Sequence, residues 1–268
     1  MTPMLRSTLL EHDALCVRLA TREADRLGAQ RLRYTVFVEE LGGDGALVDH
    51  NGRFERDVYD PVCDHLVLVD QARSEADLDH VVGAYRLMPG ERAHLHGFYC
   101  ASEYDLSVLE QSGRKLLEVG RSCLHRDVRG GIGLFQLWAG LSDYIEARGV
   151  EILFGVASFH GTDVARIAHP LALLYHTYLA PPDLRVTARP PHAVGMDLMP
   201  KAQIDRRAAA QQIPALLKSY LRLGGFVGEG AWVDRPFNTT DVCLILDVAR
   251  VDAKARGLYA GHFAHRGA

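Results

Sequence analysis

The sequence has 268 residues, of which 48% are apolar and 24% charged, with a formal net charge of −4. A chain of this size can bury a full core, and its mildly acidic total excludes a dedicated nucleic-acid binder, which needs a dominant basic face. The five cysteines, Cys16, Cys63, Cys100, Cys123 and Cys243, form no CxxC pair and are too sparse for a disulfide scaffold, so they read as reduced thiols.

In chain order, the stretch MTPMLRSTLLEHDALCVRL lacks the continuous apolar core of a signal peptide, and no run of about 18 apolar residues follows it. The expectation is a cytoplasmic protein whose membrane contact is at most peripheral, at the cytoplasmic face of the inner membrane. Ala24, Leu27, Leu32, Val36 and Leu41 stand at helical spacing, ended by Gly42 and Gly43. Residues 44–61 are polar and irregular, and a long segment of that kind in a compact domain is either disordered or functional. Its acids, Glu55, Asp57 and Asp60, favour function. Apolar runs at 65–70 and 80–88, joined by QARSEADLD, predict an antiparallel strand pair, and 116–124 a third strand.

The segment RDVRGGIG then leads into Leu134, Leu137, Trp138, Leu141 and Ile145 at helical spacing, closed by Gly149 at the position after the C-cap. ILFGVASF reads as another buried strand. Residues 162–179 are helical in pattern but contain Pro170, which starts, kinks or splits a helix rather than sitting inside it. Residues 183–200 suggest a loop with one strand, 213–223 a short helix and 241–248 a final strand. This order predicts one α/β domain, a mixed central sheet covered by helices. At the RGGIG junction, backbone N–H groups and the helix dipole suit a phosphate, although glycines also serve merely to reverse a chain.

Read together, RYTVFVEELGG, the acidic loop ERDVYD, VVGAYRLMP, FYCASEYDL and LLEVGRSCLHRDVR resemble two related acyl-carrier-dependent branches of the GNAT N-acyltransferases. These are the ornithine lipid acyltransferases and the acyl-homoserine-lactone synthases. The resemblance covers about residues 30–165 and retains Arg33, Glu55, Asp57, Asp60, Arg86, Glu118 and Arg121. It implies a GNAT fold over residues 1–268, with the family core followed by a C-terminal helix–strand extension. Gly42-Gly43 stands where lactone synthases usually carry tryptophan, and ASFHGTD and LLKSYLRLGGFVGEGAWVDRPFNTTDVCLIL also favour the lipid branch. The implied reaction moves a (3-hydroxy)fatty acyl group from acyl carrier protein to the α-amine of L-ornithine, giving lyso-ornithine lipid. Glycine or glutamine as acceptor, lactone synthesis, and a non-catalytic carrier- or lipid-binding module are the alternatives.

Amide formation from a thioester needs a neutral amine, a polarised carbonyl and a stabilised thiolate. Glu118 on a buried strand is the candidate base, with a structural ion pair to Arg121 or Arg86 as the competing role. Strict alternation separates Glu118 from Arg121, and a bulge at Gly120 would bring them round, with Arg121, Ser122 and Cys123 forming a small oxyanion site as in the GNAT fold. The resemblance assigns Glu55, Asp57 and Asp60 to the acceptor's amines, with Arg33 and Arg86 anchoring the loop or binding its carboxylate. Cys123, Leu124, Arg126, Arg129, Gly131 and Gly133 are assigned to the acyl-pantetheine arm and its carrier.

Between Arg114 and Arg129, five basic residues face only Glu118 and Asp127, and the acidic surface of a carrier protein suits such a segment. Val128 occupies the Arg/Gln place of the pyrophosphate loop of CoA-using enzymes, which favours the 4′-phosphopantetheine thioester of the carrier as donor substrate, with no permanently bound cofactor. His94, His96 and Cys100 lack a fourth partner at zinc spacing, so no metal is expected.

Overall fold

The computed structural model describes residues 14–251, apart from residues 46 and 131. In chain order it contains β1 (Leu15–Leu19), α1 (Glu23–Arg33), a π-helical segment (Tyr34–Glu40), β2 (Asp64–Asp70), β3 (Val81–Pro89) and α2 (Ala93–His96). There follow β4 (Tyr104–Asp105), α3 (Ser107–Glu110), β5 (Leu116–Leu124), α4 (Ile132–Arg148), β6 (Ile152–His160) and α5 (Ala168–Tyr178). The remainder is β7 (Thr187–Ala188), β8 (Ala193–Val194), α6 (Arg206–Gln212), α7 (Ala215–Arg222), β9 (Phe226–Val227), β10 (Ala231–Asp234) and β11 (Thr239–Asp247). None of the described helices is long and apolar enough to cross a membrane.

The chain divides into two compact units, one of residues 14–87 and 120–148, the other of 88–119 and 149–251. In the first, β1, β2 and β3 run antiparallel, with Leu15 opposite Asp70 and Asp64 opposite Leu87. Alternation along β2 sends Val67 and Val69 to one face, where they form a core with Ala29, Leu32, Val36, Val81, Ala84 and Cys123. α4 lies on the opposite face: a Cβ on Gly140 would overlap Val17 Cγ1, and one on Gly133 would stand 3.0 Å from the Val128 carbonyl. Each fully buried Leu or Val contributes about 1.5–3 kcal/mol relative to exposure. Gly149 ends α4 at φ +62, as the helical spacing required. The sequence pattern missed β1, a five-residue strand without a distinctive period, and read the π-helical turns as ordinary helix.

In the second unit, β5 pairs in parallel with β6 from Leu116–Ile152 to Glu118–Phe154, and β6 pairs antiparallel with β11 along its length. β10 and β9 join β11, and β8 joins β10, so the sheet is mixed as expected. Pro170 lies in the first turn of α5, where a missing N–H is tolerated, and a 3₁₀ turn (Val164–Ile167) precedes it. The expected single strand at 183–200 is two, each of two residues. Cys100 and Cys243 are fully buried in this unit, Cys63 and Cys123 are buried in the first, and Cys16 on β1 is partly exposed.

Where a bulge is expected at Gly120, the structure shows a left-handed residue one position further on. Gly120 has open space where a Cβ would stand, whereas Arg121 adopts the left-handed backbone at φ +51. The close approach belongs to Gly155 on β6, where a Cβ would overlap the Val119 carbonyl oxygen. Gly155→Ala should therefore lower stability by about 1–3 kcal/mol, a fall in Tm of roughly 2–10 °C, while Gly120→Ala leaves Tm within about 2 °C. Differential scanning calorimetry of the two variants checks both.

Candidate active site

Three arginines enter the first unit from different elements: Arg33 ends α1, Arg86 lies on β3 and Arg121 on β5. Alternation puts Arg86 on the face of Ala84, which α1 covers, and Arg121 reaches carboxylates of the acidic loop from its left-handed position on β5. A guanidinium never deprotonates here, so each needs a buried countercharge. The irregular loop supplies it. Arg33 Nε donates to Glu55, and its two Nη atoms form a fork on Asp60 at 2.8 and 3.1 Å. Arg86 Nη1 donates to Asp57 and, at 3.1 Å, to Asp60. Arg121 Nε donates to Glu55 at 3.0 Å and its Nη2 to Asp57 at 3.3 Å. The six side chains thus close a ring of alternating charge, Arg33–Glu55–Arg121–Asp57–Arg86–Asp60.

Local chemistry fixes the loop around this ring. Asp57 Oδ1 accepts from the Tyr59 N–H at 2.9 Å, forming an Asx turn, and Pro61 lies in the first turn of the 3₁₀ segment Asp60–Val62. Gln30 Nε2 donates to Asp60 at 3.2 Å, the His65 ring meets the Asp60 carbonyl at 3.0 Å, and the Tyr59 ring lies under Arg86. Gln30, Tyr59 and His65 were not singled out from the sequence, where nothing distinguishes them from ordinary polar residues.

The electrostatics follow from burial and pairing. Burial opposes ionisation of Glu55, but Arg121 and Arg33 override it and hold the carboxyl below its ordinary value. Asp57 behaves likewise through Arg86 and Arg121, and Asp60, against its own burial, is brought to about 2 by Arg33 and Arg86. Burial lowers His65, keeping it neutral at pH 7. The ring carboxylates are therefore fixed anions and poor proton acceptors.

Glu118 has a different environment. Its Oε2 accepts from the Tyr99 N–H and its Oε1 from the Cys100 N–H, both at 2.7 Å, so two successive amides at the start of the 3₁₀ turn Tyr99–Ser102 cradle the carboxylate. Short bonds of this kind suit an anion. Ser122 is partly exposed and Cys123 buried, its thiol pushed up to about 12 by burial, which makes it a core thiol. Leu124 packs beside Gly83, and its carbonyl accepts from Arg129 Nε at 2.9 Å.

Ahead of α4, Arg126 and Arg129 converge on Glu40 of the π-helical segment, at 3.3 and 2.6 Å. Arg126 is 68% exposed, Glu40 only 15%. Gly130 turns the chain at φ +73, Gly133 lies tight against the Val128 carbonyl, and Gly131 falls outside the described residues. Elsewhere among the described residues, Glu103, Asp234 and Asp241 gather their carboxylates, as do Asp25 and Glu75 with His80, where Arg18 and Arg22 already pair Asp25. His94, His96 and Cys100 belong to neither group.

Residues 32–139 match the family model described as acetyltransferase (GNAT) domain. The chain is 56% identical over 252 residues to the L-ornithine N(alpha)-acyltransferase of Rhodobacter capsulatus, covering 94% of this chain and 96% of that protein. It is 39% identical to the L-ornithine N(alpha)-acyltransferase of Brucella abortus, over 92% of this chain and 89% of that one. Among solved structures, the CoA-dependent acyl-homoserine lactone synthase BjaI with MTA superposes with a TM-score of 0.51 at 15% identity, covering 92% of this chain and 87% of that one. At that identity the likeness is one of fold, and the fold is that of GNAT.

The ring makes stability depend on pH in a definite sense. Asp60 has a folded-state value of about 2, below the ordinary carboxylate value of about 3.9. Its contribution is complete above pH ~4 and disappears as pH falls towards ~2. Asp60→Asn leaves buried guanidiniums undercompensated and should cost about 3–5 kcal/mol at pH 7. Calorimetry from pH 7 to 2 should show the difference between wild type and Asp60→Asn narrowing only below pH ~4. A constant difference would mean that the ring does not hold Asp60 ionised.

Proposed function

Because the chain belongs to the family of the L-ornithine N(alpha)-acyltransferases, within the GNAT acyltransferases, we propose that it transfers a (3-hydroxy)fatty acyl group from acyl carrier protein to the α-amine of L-ornithine. The product is lyso-ornithine lipid, and the released carrier retains its phosphopantetheine thiol. The observation that carries this reading is the near full-length likeness to the Rhodobacter capsulatus enzyme.

The site residues support the reading as follows. Glu118 is the proton acceptor, a buried carboxylate on β5 that the Tyr99 and Cys100 amides hold in one orientation. As the amine nitrogen attacks the thioester carbonyl, the C–N bond forms, the ammonium proton passes to Glu118, the C–S bond breaks, and the thiolate leaves and takes up a proton. The left-handed backbone at Arg121 re-aims the Ser122 peptide, making the Arg121–Cys123 segment the oxyanion donor. The charged ring serves the acceptor, with Arg33 and Arg86 anchoring the acidic loop that presents Glu55, Asp57 and Asp60. Cys123 and Leu124 contribute to the pantetheine arm through backbone, and Gly133 through the start of α4, with Gly131 assigned to the same arm from the sequence alone.

The donor is the carrier-bound thioester rather than CoA, since Val128 takes the place of the Arg/Gln that opens a pyrophosphate loop. No permanently bound cofactor is needed. Reaction in the cytoplasm, with peripheral contact at the membrane's inner face, suits an amphiphilic product.

Incubation with 3-hydroxyacyl carrier protein and ornithine should give lyso-ornithine lipid by mass spectrometry, with little product from 3-hydroxyacyl-CoA, glycine or glutamine. Acylation of glycine or glutamine in preference to ornithine would overturn the acceptor, and an S-adenosylmethionine-dependent lactone would move the chain to the synthase branch. Arg126 and Arg129 share one carboxylate, leaving an excess of positive charge for an acidic carrier. Their joint reversal to glutamate should lower turnover with carrier about tenfold or more, attenuated by salt, and affect a small acyl-pantetheine thioester far less. Equal losses with both donors would assign these arginines to the fold.

A further inference from the structure

The two arginines ahead of α4 divide a single anion between them. Glu40 Oε1 meets Arg126 Nη2 at 3.3 Å, and its Oε2 meets Arg129 Nη2 at 2.6 Å. Neighbouring acids are engaged elsewhere. Glu39 holds Arg53 through both oxygens, at 2.7 and 2.9 Å, and Asp127 pairs with Arg73 at 2.6 Å and lies 3.2 Å from the His125 ring. The side chains of Arg126 and Arg129 are 68% and 43% exposed and that of Glu40 15%, so the cations face solvent and the anion is the shielded member. Glu40 ends the π-helical segment that continues from Arg33. The backbone there is held without its side chain: the Gly42 N–H donates to the Val38 carbonyl at 3.0 Å and the Gly43 N–H to the Phe37 carbonyl at 2.8 Å. Glu40 can therefore release both arginines and leave the end of the segment in place.

We propose that Glu40 determines donor selectivity: its carboxylate occupies the place on Arg126 and Arg129 that an anionic group of the acyl donor takes, and competes with that group. Ion pairs with solvent-exposed arginines are weak in water, so an incoming anion can exchange with this one. While Glu40 stays ionised beside the pair it repels the newcomer, and Coulomb repulsion grows in proportion to the newcomer's charge. A phosphodiester on a pantetheine arm carries one negative charge, whereas the pyrophosphate and 3′-phosphate of CoA carry several. The denser anion bears the greater penalty, which is selection by repulsion as well as by attraction. The assignment rests on the proposed function for Arg126 and Arg129 facing the anionic side of the donor.

The test is initial-rate kinetics of the full-length protein with 3-hydroxyacyl thioesters of pantetheine, 4′-phosphopantetheine and CoA, which share the reacting bond and differ in charge. Glu40→Gln should leave kcat/KM for the pantetheine thioester within about twofold, raise it about threefold for phosphopantetheine and about tenfold or more for CoA. Added salt should shrink both gains. If Glu40 merely holds the arginines in position, its loss lowers kcat/KM for the charged donors, and that opposite sign overturns the proposal. An equal change with all three donors overturns it too. Should Glu40→Gln fail a near-UV circular dichroism check for folding, Glu40→Met, of similar length and uncharged, is read in the same way; if neither folds, Glu40 serves the fold and the proposal is wrong. The joint reversal of Arg126 and Arg129 separates the two possible failures. Equal losses with carrier and small thioester in that variant reject the docking reading and this proposal with it, whereas a carrier-selective loss without the charge gradient in Glu40→Gln rejects this proposal alone.

Discussion

Three guanidiniums beneath a helix and a sheet are tolerable only if equal countercharge is delivered at fixed positions. In this chain that requirement organises the neighbourhood of the site. It fixes Glu55, Asp57 and Asp60 in a segment whose described residues between Asp44 and Pro61 include neither an extended strand nor an α-helix. It also compensates the left-handed backbone of Arg121, a conformation that costs about 1–3 kcal/mol for a residue with a side chain. Because every member is held by two others, displacement of one carboxylate is felt by two arginines on different elements, and the loop behaves as part of the scaffold.

The same pairing separates electrostatic work from proton transfer. Carboxylates held far below neutral pH present constant negative charge, suited to binding a cation and unsuited to removing its proton. In the proposed reaction the proton acceptor is Glu118, a carboxylate outside the ring that two backbone amides orient. Separation of this kind lets the acidic loop tolerate changes in pH that would alter a titrating group.

The fold was legible where local sequence determines it. Apolar runs mark β2, β3, β5, β6 and β11, and the spacing from Leu134 to Ile145 with Gly149 behind it marks α4. Of the two-residue strands, β4 and β9 leave no signal and β7 and β8 read as one, because their existence depends on partners distant in sequence, as Phe226–Val227 depends on Leu244 and Ile245. At the site, all six ring residues stand out in the sequence, but which acid pairs with which arginine does not. Pairings such as Arg33 with Glu55 and Arg121 with Asp57 span 22 and 64 residues, and nothing local encodes them. Glu40 as joint partner of Arg126 and Arg129, and the Tyr99 and Cys100 amides on Glu118, were illegible for the same reason.

The placement of the thiols has a practical reach. Cys63 and Cys123 are buried in one compact unit, Cys100 and Cys243 in the other, and Cys16 on β1 is partly accessible. A thiol sealed in this way reacts with an alkylating reagent only when its surroundings open, so its modification rate measures the free energy of that opening. The chain therefore carries built-in chemical reporters for each unit. With no engineered label, mass-resolved alkylation can follow whether occupancy of the charged ring tightens the residues around Cys123 without altering those around Cys243.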